Sequence, residues 1–157
     1  MDTNRRQAMR TGGGLTLFAL LAAAGWLKPR EAAAEDWNKG AFETKSMDET
    51  MKALGGGAPA QSKDIAFFST PDIAENGAVV PIGITSSVPK TESIAILVEK
   101  NPNMLTAVFD IPAGTDPTVS TRIKMGQSSN VYALVKADGK YYVASKEIKV
   151  TLGGCGG

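Results

Sequence analysis

Apolar residues recur along this chain at two different periods. Trp37, Ala41, Met47, Met51 and Leu54 fall near one face at steps of three, four and six, the spacing of an amphipathic helix. Gly55-Gly56-Gly57 ends that pattern, and Pro59 prevents its resumption. A stripe of Met and aromatic side chains at this spacing is a packing face, docked on the domain or on a partner chain. From residue 64 onward the pattern becomes strand-like. Ile65, Phe67 and Phe68 mark 64–69, Val79, Val80, Ile82 and Ile84 mark 78–85, and branched apolar residues fill 93–99 and 105–111. Segment 118–125 alternates Val119, Thr121, Ile123 and Met125 on one face, and 130–136 and 141–152 complete the set of seven. Turn chemistry separates the runs: Asn76-Gly77, Asn101-Pro102-Asn103, Gly114 with Pro117, and Asp138-Gly139. Asp-Gly between two strand patterns is among the strongest hairpin signals. Pro81 inside a run predicts an edge or a bulge. The pattern predicts a mainly β fold: an immunoglobulin-like β-sandwich of about seven strands with an N-terminal helix. No Cys…Trp…Cys spacing is present, which excludes an antibody-type domain.

Both ends depart from this pattern. Residues 1–34 read as a targeting segment. Arg5-Arg6 precedes an apolar run over 15–27, broken only by Thr16 and Gly25, and Ala32-Ala33-Ala34 supplies a small-residue cleavage site. The run is too short and wrongly flanked for a membrane anchor. The paired arginines, with Gln7 to Met9 behind them, point to the twin-arginine route, although Asn4 and Ala8 replace the commoner Ser and Phe. A Sec signal with a coincidental Arg-Arg is the plainer alternative. Either route takes the protein out of the cytoplasm, and the first carries folded cargo. Removal of this segment takes five of the 17 basic and two of the 16 acidic residues, and leaves a formal net charge near −2. That balance argues against nucleic acid as a partner. What remains suits one domain, residues 35–152, with a single core. Its apolar sheet faces and Met-bearing helix predict more apolar surface than a monomer covers, and hence a second subunit.

The other end is Gly153-Gly154-Cys155-Gly156-Gly157, and Cys155 is the only cysteine. A lone cysteine is most often a small buried hydrophobe. Four glycines offer nothing to bury it with and lose much backbone entropy on ordering, so 153–157 is expected to be a mobile arm. Extended backbone spans about 3.3–3.6 Å per residue, which lets the thiol stand roughly 10 Å beyond Leu152. One cysteine cannot close an intramolecular disulfide. With no histidine in the chain, a structural zinc site is disfavoured. Prenylation needs three residues after the cysteine, and two follow. An exposed thiol that reacts, or one that pairs between chains, remains. An unperturbed thiol titrates near about 8.5. Glycine neighbours supply no cation to lower that value, so the sulfur awaits activation inside a partner's site.

The domain itself offers little for catalysis. It lacks histidine, a Gly-x-Ser-x-Gly motif, a phosphate loop and a metal-ligand cluster. Glu75 beside Asn76-Gly77 reads as a solvated turn carboxylate, and Arg122 and Lys124 as one exposed face of a strand. A carrier or scaffold without cofactor or metal of its own is the expectation, rather than an enzyme.

Gly153 to Gly157 closely resembles the terminal Gly-Gly-Cys-Gly-Gly of the SoxY family, the sulfur-compound carriers of bacterial thiosulfate oxidation. The resemblance continues through Ile73-Ala74-Glu75-Asn76-Gly77, Val80-Pro81, Glu99-Lys100-Asn101-Pro102, Thr121-Arg122-Ile123-Lys124-Met125 and Lys149-Val150-Thr151. Asn103-Met104 stands where a second proline is common. The resemblance implies a periplasmic protein paired with a SoxZ-like subunit, with Cys155 as the point of covalent substrate attachment. Gly153, Gly154, Gly156 and Gly157 would form the arm. It further implies a SoxAX-type haem enzyme that joins thiosulfate to the thiol, a SoxB-type dimanganese hydrolase that releases sulfate, and in some hosts a SoxCD-type dehydrogenase. Two alternatives stand beside it. A secreted structural subunit would be linked through a Cys155–Cys155 disulfide. A thiocarboxylate-type sulfur carrier would use Gly156-Gly157, but that chemistry needs cytoplasmic ATP.

Overall fold

The computed structural model describes residues 38–152. A 3-10 turn, Ala41–Glu43, and helix α1, Met47–Ala53, precede nine strands. These are β1 (Ala60–Gln61), β2 (Ile65–Phe68), β3 (Ile73–Asn76), β4 (Val80–Ser86), β5 (Thr91–Val98), β6 (Leu105–Asp110), β7 (Thr118–Ile123), β8 (Ser129–Ala137) and β9 (Lys140–Leu152). The larger sheet has six strands: β9, β8, β5 and β6 run in that order, and β1 and β3 both join β9. The smaller sheet is β2-β4-β7.

Alternation along the two central strands builds three layers. Ile94, Ile96 and Val98 of β5, with Val131, Ala133 and Val135 of β8, face the smaller sheet and pack with its Ile65, Val80, Ile82, Ile84, Val119 and Ile123. The intervening Ala95, Leu97 and Leu134 face the other way, beneath Ala41 and Met51. Each fully buried Leu, Ile or Met stabilises the fold by about 1.5–3 kcal/mol. Strands β5 and β8 are therefore apolar on both faces, which is why their sequences read as continuous apolar runs. The expected mainly β fold of several-stranded sheets is what the chain forms.

The helix is shorter than its periodicity predicts. Thr44 (φ −72°, ψ 146°) and Ser46 (φ −136°, ψ 159°) are extended, which separates the 3-10 turn from α1. Ser46 Oγ accepts the Glu49 N–H, and Glu49 Oε2 accepts the Lys45 N–H, a variant of the capping box. The start signal, Ser46-Met47-Asp48-Glu49, was present in the sequence but lay inside an apolar spacing that ran past it. Buried Thr44 and Thr50 join their hydroxyls at 2.7 Å across the break. The stop agrees with expectation. Gly56 N–H bonds the Met51 carbonyl and Gly55 N–H that of Lys52, the paired bonds of a Schellman motif. Trp37 lies outside the described residues.

All seven expected strands form within a few residues of their predicted bounds. Asp138 and Gly139, at φ 50° and 73°, connect β8 to β9 with Ala137 opposite Lys140, the two-residue turn that requires positive φ at both positions. Two further strands, β1 and β3, were not predicted. They have two and four residues, and β3 buries only Ala74, too little alternation to register. Pro81 lies in the middle strand of the smaller sheet, but its nitrogen faces the side on which β2 has already ended. Gly83 N–H, on that same side, bonds Thr70 Oγ1, and β2 pairs with β4 only from Gly83 onward. The edge that Pro81 predicted is thus a local one.

The expected apolar surplus is not seen among the described residues. Among the described residues only Ile73, Val79 and Leu152 are large hydrophobics left exposed, at 60%, 54% and 64%. They occur at the start of β3, in the turn after it and at the end of β9.

Where β2 meets β4 the backbones approach so closely that a Cβ on Gly83 would meet the Phe68 carbonyl oxygen and ring. Gly83→Ala is expected to destabilise the fold by about 1–3 kcal/mol through overpacking. A fall in the urea midpoint at unchanged slope would show it; an unchanged midpoint would count against this packing.

Candidate functional site

The reactive feature named by the sequence, Cys155 with Gly153, Gly154, Gly156 and Gly157, lies outside the described residues. What the structure describes is the root from which that segment departs. Strand β9 runs for 13 residues and is held along both edges nearly to its end. On one edge β8 pairs with it in antiparallel register as far as Ser129 opposite Ile148. Past that point a side chain replaces the ladder. Val150 N–H donates to Ser128 Oγ at 2.9 Å, and the hydroxyl donates to the Val150 carbonyl at 3.4 Å.

On the other edge β3 runs parallel, with Ile73 opposite Lys149, Ala74 opposite Val150 and Asn76 opposite Leu152. Lys149 N–H bonds the Asp72 carbonyl at 2.9 Å and Gly77 N–H bonds the Leu152 carbonyl at 2.7 Å. Thr151 Oγ1 donates to the Glu75 carbonyl at 3.0 Å. Lower on the strand, Lys146 Nζ reaches Asp72 at 3.0 Å and the Thr70 carbonyl at 2.6 Å. Thus the turn that enters β3 is also tied to β9.

The turn after β3 follows the expectation for Asn76-Gly77. Asn76 Oδ1 accepts the Ala78 N–H at 2.8 Å, the Asx geometry that this residue favours. Gly77 then accepts from Met125 N–H at 2.7 Å, which joins the root to the segment just past β7. That segment is fixed in turn by Asn101, whose side chain bonds the Lys124 carbonyl at 2.8 Å and the Gly126 N–H at 3.1 Å. Two residues before Asn101, Glu99 accepts from Asn130 at 2.8 Å and Tyr132 at 3.3 Å. Burial, and then the Glu99 carboxylate, hold the Tyr132 phenol above its usual pKa.

The described residues bring together no catalytic constellation. Glu75 is exposed on β3, and Arg122 and Lys124 are exposed at the end of β7. Among the described residues no group of His, Cys, Asp and Glu is placed to hold a metal ion. No described helix is long and apolar enough to cross a membrane. The described residues at this end form a support held by hydrogen bonds on both edges of β9.

A family model described as sulfur oxidation protein SoxY matches residues 50–155, a span that reaches Cys155. The chain belongs to the SoxY family. Among solved structures it is similar to the sulfur carrier protein SoxY from Chlorobium limicola f thiosulfatophilum, at 37% identity and a TM-score of 0.60, over 67% of this chain and 96% of that one. A chain from a structure of T cell activation by the bacterial superantigen toxic shock syndrome toxin-1 is 16% identical over 55% of this chain and 97% of its own, at a TM-score of 0.40. An endo-beta-1,4-mannanase from Thermotoga petrophila is 13% identical over 66% and 22%, at 0.42. Scores that low bear on neither fold nor chemistry. No curated protein is significantly similar. SoxY family membership and the Chlorobium likeness together support a sulfur-carrier role.

In this SoxY-family chain, sequence reasoning missed what anchors the end of β9. Ser128 and Thr151 carry no motif, and β3 is too short for periodicity to reveal. Ser128→Ala is predicted to cost about 1–3 kcal/mol locally, because the Val150 N–H loses its partner. Hydrogen exchange should quicken at Val150 and Leu152 while the centre of β8 stays protected. Unchanged exchange at Val150 would mean that the hydroxyl does not anchor the root.

Proposed function

We propose that this SoxY-family chain is a periplasmic carrier that holds the intermediates of thiosulfate oxidation covalently on Cys155. The observation that carries the reading is the junction of opposites at Leu152. A strand pinned on both edges gives way to five residues in which four glycines flank one sulfur. The support is fixed, and nothing bulky stands beside the thiol. Such an arm suits delivery into a narrow active site on another protein, where the reacting atoms must be closely aligned.

The chemistry then belongs to the partners. A SoxAX-type haem enzyme removes two electrons as the Cys155 thiol and thiosulfate join. The product is Cys155–S–S–SO3−, and one proton is released from the thiol. A SoxB-type dimanganese hydrolase adds water to the sulfonate sulfur, releases sulfate and leaves the outer sulfur on Cys155. A SoxCD-type dehydrogenase, in hosts that have one, oxidises that sulfur. A SoxZ-like subunit pairs with the domain, and Arg5-Arg6 directs export by the twin-arginine route, which would carry the folded pair. The apolar surplus that first suggested such a subunit is not present in the described residues, so the partner rests on family membership alone.

Cys155→Ser tests the reading. A hydroxyl cannot form the sulfur–sulfur bond, so thiosulfate oxidation in a reconstituted system should fall to background while the urea midpoint is unchanged. Full activity of the Ser variant would overturn the carrier role. Gly154→Val with Gly156→Val should slow turnover by the hydrolase at least tenfold, because β-branching stiffens and widens the arm. Labelling of the thiol by a small alkylating reagent should hardly change. Turnover at the normal rate would remove the narrow-arm explanation.

A further inference from the structure

Strand β6 ends the larger sheet and β7 ends the smaller, so each leaves one edge without a neighbouring strand among the described residues. Between the start of β6 and the end of β7 lies an open groove of about 420 Å³, whose lining includes Asn101, Asn103, Leu105, Thr106, Arg122 and Lys124. One wall of it is clamped. Asn101 Nδ2 donates to the Lys124 carbonyl, and Asn101 Oδ1 accepts the Gly126 N–H. Met125 N–H bonds the Gly77 carbonyl and Gly77 N–H bonds the Leu152 carbonyl, each at 2.7 Å. The groove thus holds a fixed position relative to the end of β9.

Arg122 is the only arginine among the described residues. It and Lys124 are both exposed, and neither has an ion-pair partner among those residues. Lys39, Lys90, Lys136 and Lys146, by contrast, are paired with carboxylates. No carboxylate lines the groove. Glu99, in the adjoining turn, accepts instead from Asn130 and Tyr132. Lys100, next to Asn101, adds a third exposed cation. This positive concavity stands on a chain whose formal net charge beyond residue 34 is near −2. One charge is enough to guard an open sheet edge against another strand. Two uncompensated cations in one concavity form a site for negative charge.

We propose that this groove docks an extended, carboxylate-rich segment on the surface of the enzymes that act on the carried sulfur. This rests on the carrier reading above. The Arg122 guanidinium offers paired donors to one carboxylate, and Lys124 offers a compact charge to a second. The open edge of β7, on which Arg122 lies, supplies backbone donors and acceptors to a strand laid along it. Because the groove is fixed relative to Leu152, these contacts orient the carrier as it meets the enzyme. Charge complementarity of this kind acts on encounter and orientation, so its effect falls on KM and not on kcat.

Hexaglutamate tests the groove without any partner enzyme. At low salt it should shift backbone amides in 101–106 and 122–126, and salt at about 0.5 M should weaken the shifts. Arg122→Gln with Lys124→Gln should abolish them. Lys52→Gln with Lys140→Gln removes the same charge elsewhere and should leave them in place. Turnover by a SoxB-type hydrolase tests the role. For this the Cys155 thiolate is loaded with tetrathionate: it attacks a central sulfur, forms the sulfur–sulfur bond and expels thiosulfate, which leaves Cys155–S–S–SO3−. The groove variant should raise KM at least about fivefold at low salt, leave kcat unchanged and lose the salt dependence of KM. The proposal is overturned if the shifts spread over all exposed lysines, survive the groove substitutions or are reproduced by equimolar sulfate, or if KM is unchanged. Self-association of the groove variant, with no response of the wild type to hexaglutamate, also overturns it and assigns the two cations to guarding the edge. Failure of the carrier reading looks different: the hydrolase does not turn over the loaded wild-type chain at any salt, which removes the enzyme as occupant even where hexaglutamate shifts the groove.

Discussion

Strand β9 is hydrogen-bonded on both edges, and the rest of the molecule is arranged around that constraint. Its β8 edge is a simple hairpin from Asp138-Gly139. Its other edge is filled by two separate pieces of chain, Ala60–Gln61 and Ile73–Asn76. Between those pieces the chain leaves the larger sheet, contributes β2 to the smaller one and returns. The smaller sheet is thus tied to the larger through the same strand that ends at Leu152. This explains how so short a strand as β3 persists: backbone bonds to β9, the Lys146 clamp on Asp72 and the Thr151 hydroxyl all act on it together.

The layered core follows from the same arrangement. Strands β5 and β8 bury both faces, one toward the smaller sheet and one beneath α1 and the 3-10 turn. Tyr141 joins the outer layer to β9, since its hydroxyl bonds the Leu54 carbonyl at the end of α1. The helical segment is thus one more brace on the last strand, and its Ala41 and Met51 are buried against the larger sheet.

How much of this the sequence discloses depends on the length of each element. Long runs with strong alternation, such as β8 with Val131, Ala133 and Val135 inward, are legible. So is the Asp138-Gly139 hairpin, because its backbone demands particular residues. Ala60–Gln61 and Ile73–Asn76 are not legible, since a strand of two or four residues owes its existence to its neighbour rather than to its own pattern. The break at Thr44 was hidden for a different reason: Ala41 and Met51 share a buried cluster across it, so apolar spacing continued where the helix did not. At the candidate site, Cys155 and its glycines stand out by composition alone. Ser128, Thr151 and Asn101 act through hydrogen bonds made possible by tertiary contact, and such residues look like any other loop Ser, Thr or Asn before the chain folds.

The parallel course of β3 along β9 also has a mechanical meaning. A partner that grips the terminal segment and withdraws pulls along the axis of β9. Bonds to β3 on one side and to β8 and Ser128 on the other lie across that axis, so they bear the load together, in shear. A terminal strand attached at a hairpin end alone would instead be peeled away one bond at a time. The domain can therefore be tugged repeatedly by its last residues and keep its final strand in place.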